Sequence, residues 1–330
     1  MIVFARNKFY DYGIFKSKEL NSRVISVGNV SAGGTGKTPF VEMLAEMLIE
    51  QKKFVAIISK GYKREIDDIK VSELSYKNEE KKLNTENFGD EPLMLVENLS
   101  TLNPEKGLMV VGDKKISSAK FADAKFDPDV IIVDDGFQHR QLLRELDIVI
   151  LNNENPKHLV PAGMLREPIK NIRRANLIVL NTKFEGDKAS GELQAITDLI
   201  CCYTLEGFYG KDNLKHDLNG KNMIAFCGIG DPDSFKYLLA KENIKLTELI
   251  TFSDHHNFTY ENLVMLSKKM KENNADGFIT TQKDSIRLKY SGINTTEKFF
   301  NDYPLYYAKI KMQILKGKEI LEDKLEIMMR

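Results

Sequence analysis

Short aliphatic and β-branched runs alternate along the chain with segments whose apolar positions recur at three- and four-residue spacing. Val24-Ile-Ser-Val27, Phe54-Val-Ala-Ile-Ile58, Leu108-Met-Val-Val111, Val130-Ile-Ile-Val133, Leu146-Asp-Ile-Val-Ile-Leu151 and Leu177-Ile-Val-Leu180 read as strands. Val41, Leu44, Ala45 and Leu48, and later Leu93, Val96 and Leu99, fall on one face of a helix. Strands alternating with helices to about residue 183 predict a mostly parallel sheet with covering helices. Residues 65–87 are polar and weakly patterned, and residues 184–220 are irregular and rich in Gly, Asp and Lys. A domain boundary is expected in that second stretch, dividing the chain into 1–205 and 206–330. A second α/β unit follows, with strands at Lys221–Cys227, near Leu249–Thr251, at Phe278–Thr281 and at Tyr306–Leu315. Helices are expected over about 234–240 and 260–271, and the tail reads as a charged helix.

One of the strand-to-helix joins carries chemistry. Val27-Gly-Asn-Val-Ser-Ala-Gly-Gly-Thr-Gly-Lys-Thr-Pro39 follows an apolar run and opens a helical pattern, with Pro39 tolerated in its first turn. Strand, glycine-rich turn and helix N-terminus together aim backbone N–H groups at phosphate. Ser31, Ala32, Gly33, Gly34, Thr35, Gly36, Lys37 and Thr38 are therefore the expected nucleotide cradle. Lys37 would reach the β- and γ-phosphates, and the Thr38 hydroxyl would ligate Mg²⁺. Ser31 stands where G-x-x-x-x-G-K-[ST] has its first glycine, so Gly33 and Gly34 are left to supply the flexibility. A glycine-rich turn with a surface lysine is the plain alternative.

Val130-Ile-Ile-Val-Asp-Asp-Gly-Phe-Gln-His139 is the second signal. An apolar strand running into paired acids suits a Walker-B-type site, with Asp134 or Asp135 holding Mg²⁺ directly or through water. A strand ending in an Asp-Gly turn gives the same letters. Three further loops lie beyond strands or open helices. Ser59-Lys-Gly-Tyr-Lys-Arg64 is basic and follows a strand, the ligand side of an open sheet. In Gly89-Asp-Glu-Pro92, Asp90 suits a helix cap as well as a catalytic acid. Arg166 and Glu167 form either a surface pair or, through Arg166, a bidentate phosphate clamp. Asp254 and His255 at a strand's end are a candidate base pair.

Composition narrows the class. Lys+Arg and Asp+Glu both number 48 in 330 residues, which gives no argument for nucleic acid. No apolar run approaches the roughly 20 residues that span a bilayer, and Arg6 and Lys8 interrupt any signal-peptide pattern at the start. The three cysteines show neither metal nor redox spacing, which fits a reducing, cytoplasmic setting. Residues 1–20 interleave Phe4, Phe9, Tyr10, Tyr12 and Phe15 with Arg6, Lys8, Lys16 and Lys18. That pattern fits an amphipathic segment on an anionic membrane and equally a helix packing its aromatics on the domain.

Taken in order, the loop 27–39, Ser59–Arg64, Gly89–Pro92, Asp134-Asp-Gly-Phe-Gln-His139, Leu165-Arg-Glu-Pro168, Gly228-Ile-Gly-Asp-Pro232, Asp254-His-His256 and Thr281-Gln-Lys-Asp284 resemble the tetraacyldisaccharide 4'-kinase (lipid A 4'-kinase) family. The resemblance implies an α/β fold, a P-loop NTPase-type three-layer α/β/α domain with a second, smaller α/β/α domain, joined by a two-stranded sheet. It implies ATP and Mg²⁺ as cofactors and transfer of the γ-phosphate to the 4'-hydroxyl of a tetraacyldisaccharide 1-phosphate, giving lipid IVA. The partners it implies are that lipid and the cytoplasmic face of the inner membrane, with no nucleic acid and no obligate protein partner. The family's catalytic aspartate matches Asp90, its histidine matches His255 with Asp254 beside it, and its paired acids match Asp134 and Asp135. Arg64, Gln138, His139 and Arg166 are the expected substrate contacts, and Glu167 a further metal ligand. Lys60 replaces the family's commoner arginine, and the family usually carries another amphipathic helix ahead of the position of Met1.

On this reading Asp90 accepts the hydroxyl proton, His255 supports or shares that role from the other domain, and the site is complete only when the domains close. A P-loop switch that binds a partner and hydrolyses nucleotide slowly is the rival reading.

Overall fold

The computed structural model describes residues 2–61, 69–73, 83–153, 158–160, 162–188 and 191–330. In chain order the elements are α1 (Ile2–Asp11), β1 (Arg23–Gly28), α2 (Lys37–Glu50), β2 (Val55–Ser59), β3 (Lys70–Glu73), α3 (Thr85–Phe88), α4 (Asp90–Ser100), β4 (Gly107–Val111), α5 (Lys115–Phe126), β5 (Val130–Asp134), β6 (Leu146–Asn152), β7 (Leu177–Phe184), α6 (Gly191–Gln194) and β8 (Leu199–Tyr209). The second part contributes β9 (Lys215–His216), β10 (Asn222–Cys227), α7 (Pro232–Ala240), β11 (Lys245–Thr251), α8 (Tyr260–Glu272), β12 (Gly277–Thr281), α9 (Gln282–Lys289), α10 (Asn294–Asp302), β13 (Leu305–Lys316) and α11 (Lys318–Met329).

All strands join one sheet in the order β11-β10-β12-β13-β8-β7-β6-β1-β5-β2-β4-β3, with β9 beside β8. From β8 to β4 the neighbours are parallel, and so are those from β11 to β13, but β13 meets β8 antiparallel. The register shows what this reversal does. β7 pairs with the start of β8 (Val179 opposite Leu199), whereas β12 pairs with the start of β13, whose Tyr307 lies opposite Tyr209 at the far end of β8. The two parallel units therefore sit at opposite ends of one long ladder with their strands pointing toward each other. Both sets of carboxyl-terminal loops open into the same cleft.

The expected strands form because their side chains are wanted on both faces: β2, β4 and β5 are buried at every position. The apolar stripes of α2 and α4 close one face over Ile25, Ile57 and Ile132, and Leu321, Leu325 and Met328 of α11 return from the chain's end to the same core. Phe226, Phe258 and Phe278 pack edge to face in the second unit.

Several elements depart from the sequence reading. The stretch expected to be irregular contains β8, and residues 205 and 206 lie within it, in the strand both units share. Its glycine- and lysine-rich flanks mask the run from Leu199 to Tyr209. Elements outside the expected set include α5, with little apolar asymmetry, the short elements β3, α3, α6 and β9, and the helices α9 and α10. Thr281 caps α9 by accepting from the Asp284 amide at 3.2 Å, so the expected strand 278–281 turns directly into a helix.

Glu42 of α2 is 6% exposed, with Oε1 unpartnered. Burial pushes its carboxyl up to about 7, with Glu46 adding to the rise against an Asn98 hydrogen bond and the charges of Lys309 and Lys311. Because the folded value exceeds the ordinary value of 4.5, stability is highest below 4.5 and falls as pH rises through about 7. Glu42→Gln should therefore stabilise the protein at pH 8 by up to about 3 kcal/mol and change little near pH 4, read from urea midpoints at both pH values.

Candidate active site

β1 lies in the middle of the first unit, between β5 and β6, and its carboxyl end releases the loop 29–36 onto α2. Gly36 takes φ 95, and a Cβ there would come within 2.4 Å of Asn181 Nδ2 and 2.6 Å of the Tyr203 hydroxyl. Asn29 Nδ2 donates to Thr35 Oγ1 at 3.0 Å and Asn181 Nδ2 to the Thr35 carbonyl at 3.1 Å, so side chains brace the loop from beneath. Ser31 forms an antiparallel bridge with Leu165, flanked by Ala32 N–H to Met164 O at 2.6 Å and Arg166 N–H to Val30 O at 2.8 Å. Residue 31 is absent from the positive-φ positions, which is why serine serves where a glycine was expected. Gly33, at φ 111, makes the turn instead.

The paired acids behave as opposites. Asp134 ends β5 opposite Val27, 6% exposed, with Ser59 Oγ at 3.4 Å from Oδ2 and Oδ1 unpartnered. Burial raises its carboxyl to about 6, with Glu91 and Asp135 adding to the rise and Lys115 and Lys37 opposing it. Asp135, at φ 50, accepts Arg166 Nη1 on both oxygens at 3.0 and 2.8 Å and lies 3.6 Å from Lys37 Nζ. Burial would raise Asp135 as well, but Lys37, Lys115 and Arg166 outweigh it and hold the group down at about 2. Lys115, 4% exposed, donates to the Asp135 carbonyl at 2.8 Å.

Beside the loop and in the same unit, α4 begins at Asp90 and Glu91. Asp90 Oδ2 accepts Arg287 Nε at 2.9 Å and Nη2 at 2.5 Å, with His255 Nδ1 at 3.1 Å. Arg287 Nη1 also donates to Asp284 Oδ1 at 2.7 Å and to the Gly228 carbonyl at 2.8 Å. A Cβ at Gly228 would lie 3.0 Å from His256 Cβ and 3.2 Å from Asp284 Oδ1, so glycine lets this cluster close. Burial opposes ionisation of Asp90, but the His255 hydrogen bond and the charges of Arg287 and Lys283 prevail and keep its carboxyl well below the usual range. His255 Nδ1 lies 3.1 Å from both Asp90 Oδ2 and Arg287 Nη2, so a hydrogen on Nδ1 donates to the carboxylate, while the other tautomer accepts from the guanidinium. Nε2 points to Asp254 Oδ1 at 4.0 Å, and Asp254 is exposed at the rim. His255 itself holds φ 54, fixed by its N–H to Gly228 O at 3.0 Å.

Not every expected site residue faces this cleft. Glu167, 0% exposed, accepts Gln138, Asn7, Asn171 and Arg174 on its two oxygens, so its lone pairs are consumed in holding segments together. Gln138 also donates to the Asn29 carbonyl at 2.8 Å, bracing the loop from α1's side. His139 lies exposed nearby, and Arg64 falls outside the described residues. His256 is taken by Asn262 at 2.8 Å and stacks on Phe252, leaving His255 as the histidine of the pair that reaches Asp90. Arg287, Lys115 and Glu91 join the site without having been predicted. Thr281 with Asp284 three residues on was a readable helix start that would have carried Arg287.

Among the described residues no three His, Cys, Asp or Glu side chains form a protein-only metal site. The Thr38 hydroxyl at the start of α2 and the unpartnered Asp134 Oδ1 are oxygens that could serve a Mg²⁺ sharing its shell with phosphate and water.

The chain is similar throughout its length to proteins of one family. The family model described as tetraacyldisaccharide-1-P 4'-kinase matches residues 1–330. The tetraacyldisaccharide 4'-kinase of Pelodictyon phaeoclathratiforme is 33% identical, with 98% of this chain and 93% of that protein covered. That of Geobacter metallireducens is 36% identical over 84% of this chain and 82% of the relative. A crystal structure of LpxK from Aquifex aeolicus in complex with ATP superposes with a TM-score of 0.75 at 31% identity, covering 100% of this chain and 95% of that one.

Arg287 neutralises two buried carboxylates, Asp90 and Asp284. Arg287→Met should cost about 3–5 kcal/mol at pH 7, because breaking a buried pair leaves its charges uncompensated. The loss should shrink as pH falls through the ordinary carboxylate range and the orphaned acids take up protons, measured by denaturant unfolding at pH 7 and pH 4.

Proposed function

The chain belongs to the tetraacyldisaccharide-1-P 4'-kinase family, and from that premise we propose that its cleft transfers the γ-phosphoryl group of ATP to the 4'-hydroxyl of a tetraacyldisaccharide 1-phosphate, a step of lipid A biosynthesis. The observation that carries the reading is a phosphate loop beside which Asp90 of the same unit meets His255 of the second unit. A nucleotide switch has no use for a proton acceptor opposite its phosphate loop.

Phosphoryl transfer asks for positioning and for charge opposite the equatorial oxygens. The loop amides, Lys37 and Arg166 supply that charge from the first unit. Asp135 holds both cations at the mouth of the loop until phosphate competes for them. Thr38 and Asp134 would hold Mg²⁺, which would supply charge neutralisation for the phosphoryl transfer. His255 takes the proton of the acceptor hydroxyl on Nε2, the oxygen attacks the γ-phosphorus in line, and the bond to the β-phosphate oxygen breaks to release ADP. Asp90 is a positioning residue: with Arg287 Nε and Nη2 already on Oδ2 it is a poor base, and in the tautomer that serves as base it accepts from His255 Nδ1 and supports the imidazole's charge. The expectation from sequence gives the proton to Asp90 with His255 supporting or sharing that role; the mechanism proposed here gives it to His255.

We take 1–205 and 206–330 as the two domains, with the β8–β13 ladder as the element about which they would open. The lipid acceptor places the protein on the cytoplasmic surface of the inner membrane. Tyr12, Ile14 and Phe15 are exposed beside Lys8, Lys16 and Lys18, the chemistry of an interfacial anchor. No helix among the described residues is long and apolar enough to cross a membrane.

Incubation with γ-labelled ATP, Mg²⁺ and tetraacyldisaccharide 1-phosphate should yield a labelled lipid, and its absence would refute the reading. His255→Ala and Asp90→Ala should each lower kcat by about 10²–10⁴-fold with ATP affinity intact. Thr38→Ala should raise the Mg²⁺ concentration needed for half-maximal turnover; an unchanged titration would remove Thr38 from the metal.

A further inference from the structure

α4 and α9 meet along a seam in which every polar contact crosses between the two units. Asn98 and Gln282 exchange amide hydrogen bonds, Tyr290 donates to Glu97 at 2.7 Å beside Lys289, and Lys283 pairs with Glu91. The last pair differs from the rest because it continues into the phosphate loop. Glu91 Oε1 takes the Lys283 ammonium, while Oε2 accepts the Thr38 hydroxyl at 2.8 Å. One carboxylate thus joins a residue of the second unit to the first turn of α2.

We propose that Lys283 is a positioning residue for the nucleotide-bound Mg²⁺, acting through Glu91 on the rotor of Thr38, so that metal loading and closure of the second unit are one coupled event. The inference rests on the phosphoryl-transfer reading above. A threonine hydroxyl has one hydrogen and two lone pairs, and it ligates a cation only when the hydrogen points elsewhere. Donation to Glu91 Oε2 fixes the hydrogen and turns the lone pairs away from α4. That orientation needs the Glu91 carboxylate held with Oε2 toward α2, and the Lys283 ammonium on Oε1 is what fixes the other end of the group. Without Lys283 the carboxylate loses that anchor and can rotate away from α2, and the Thr38 hydroxyl is no longer held in one orientation. The second unit therefore reports its closed position to the loop as a hydroxyl orientation. Outer-shell groups of this kind typically change metal affinity by about 10–100-fold when removed.

The test compares ATP binding by calorimetry in EDTA and in saturating Mg²⁺, for wild type, Lys283→Met, Glu91→Gln and the double variant. Wild type should bind in EDTA and more tightly with Mg²⁺. Lys283→Met and Glu91→Gln should each lose about tenfold of the Mg²⁺-dependent gain while binding metal-free ATP as wild type does. The double variant should lose no more than either single one, because both act on the same hydroxyl. Lys283→Arg, which keeps the charge, should restore most of the gain. If Lys283→Met alone fails to fold, the double variant, which leaves no orphaned carboxylate, carries the same comparison. An undiminished Mg²⁺-dependent gain in Lys283→Met or in the double variant would overturn the relay and leave Lys283 as a structural ion pair. Losses that multiply in the double variant would overturn it too. Absence of ATP binding by wild type would instead overturn the kinase reading on which the relay stands.

Discussion

The antiparallel ladder of β8 and β13 is the constraint on which the site depends. A parallel α/β unit presents its loops at the carboxyl ends of its strands, so two such units side by side in one continuous parallel sheet would open the same way and never face each other. Here the strand direction reverses at β8 and β13, and the units attach at opposite ends of that pair. The phosphate loop after β1 and the His255 loop after β11 are brought face to face by strand pairing alone. α11 follows β13 back into the first unit's core, with Leu321 and Leu325 fully buried, and so anchors the far end of the ladder.

Across that cleft the energetics are dominated by desolvation. Asp90, Asp134, Asp284, Lys115 and Arg287 are all nearly inaccessible, and buried charges persist only where partners compensate them. Compensation is complete for Asp90 and Asp135, which stay ionised, and incomplete for Asp134, whose carboxyl rises to about 6 with one oxygen unpartnered. An under-compensated carboxylate beside a phosphate loop is where an added cation is most strongly stabilised. The two adjacent acids that open α4 divide the work. Asp90 turns toward His255 and Arg287, Glu91 toward Thr38 and Lys283, and the helix N-terminus favours the negative charge of both. A single helical turn therefore touches the acceptor side and the metal side of the cleft at once.

What the sequence by itself determined is local. A glycine-rich turn between an apolar run and a helical stripe is a phosphate loop wherever it folds, because chain geometry over a dozen residues fixes it. Paired aspartates at the end of Val130–Val133, and the alternation of strands and helices through residue 183, were legible for the same reason. The family resemblance added Asp90 and His255 as partners, which spacing could not, since they stand 165 residues apart.

Only the tertiary structure decided the roles. Whether Asp90 is a base or an orienting anion turns on Arg287, which arrives from a helix that strand-like neighbours conceal in the sequence. Whether Glu167 ligates a metal turns on four donors drawn from α1, the turn after β5 and the segment that follows Glu167 itself. Ser31 was an anomaly against a motif until its bridge to Leu165 showed an extended backbone there. In each case the deciding quantity is a charge or a hydrogen bond supplied from far along the chain. Such terms depend on burial and distance in space, neither of which a linear pattern contains.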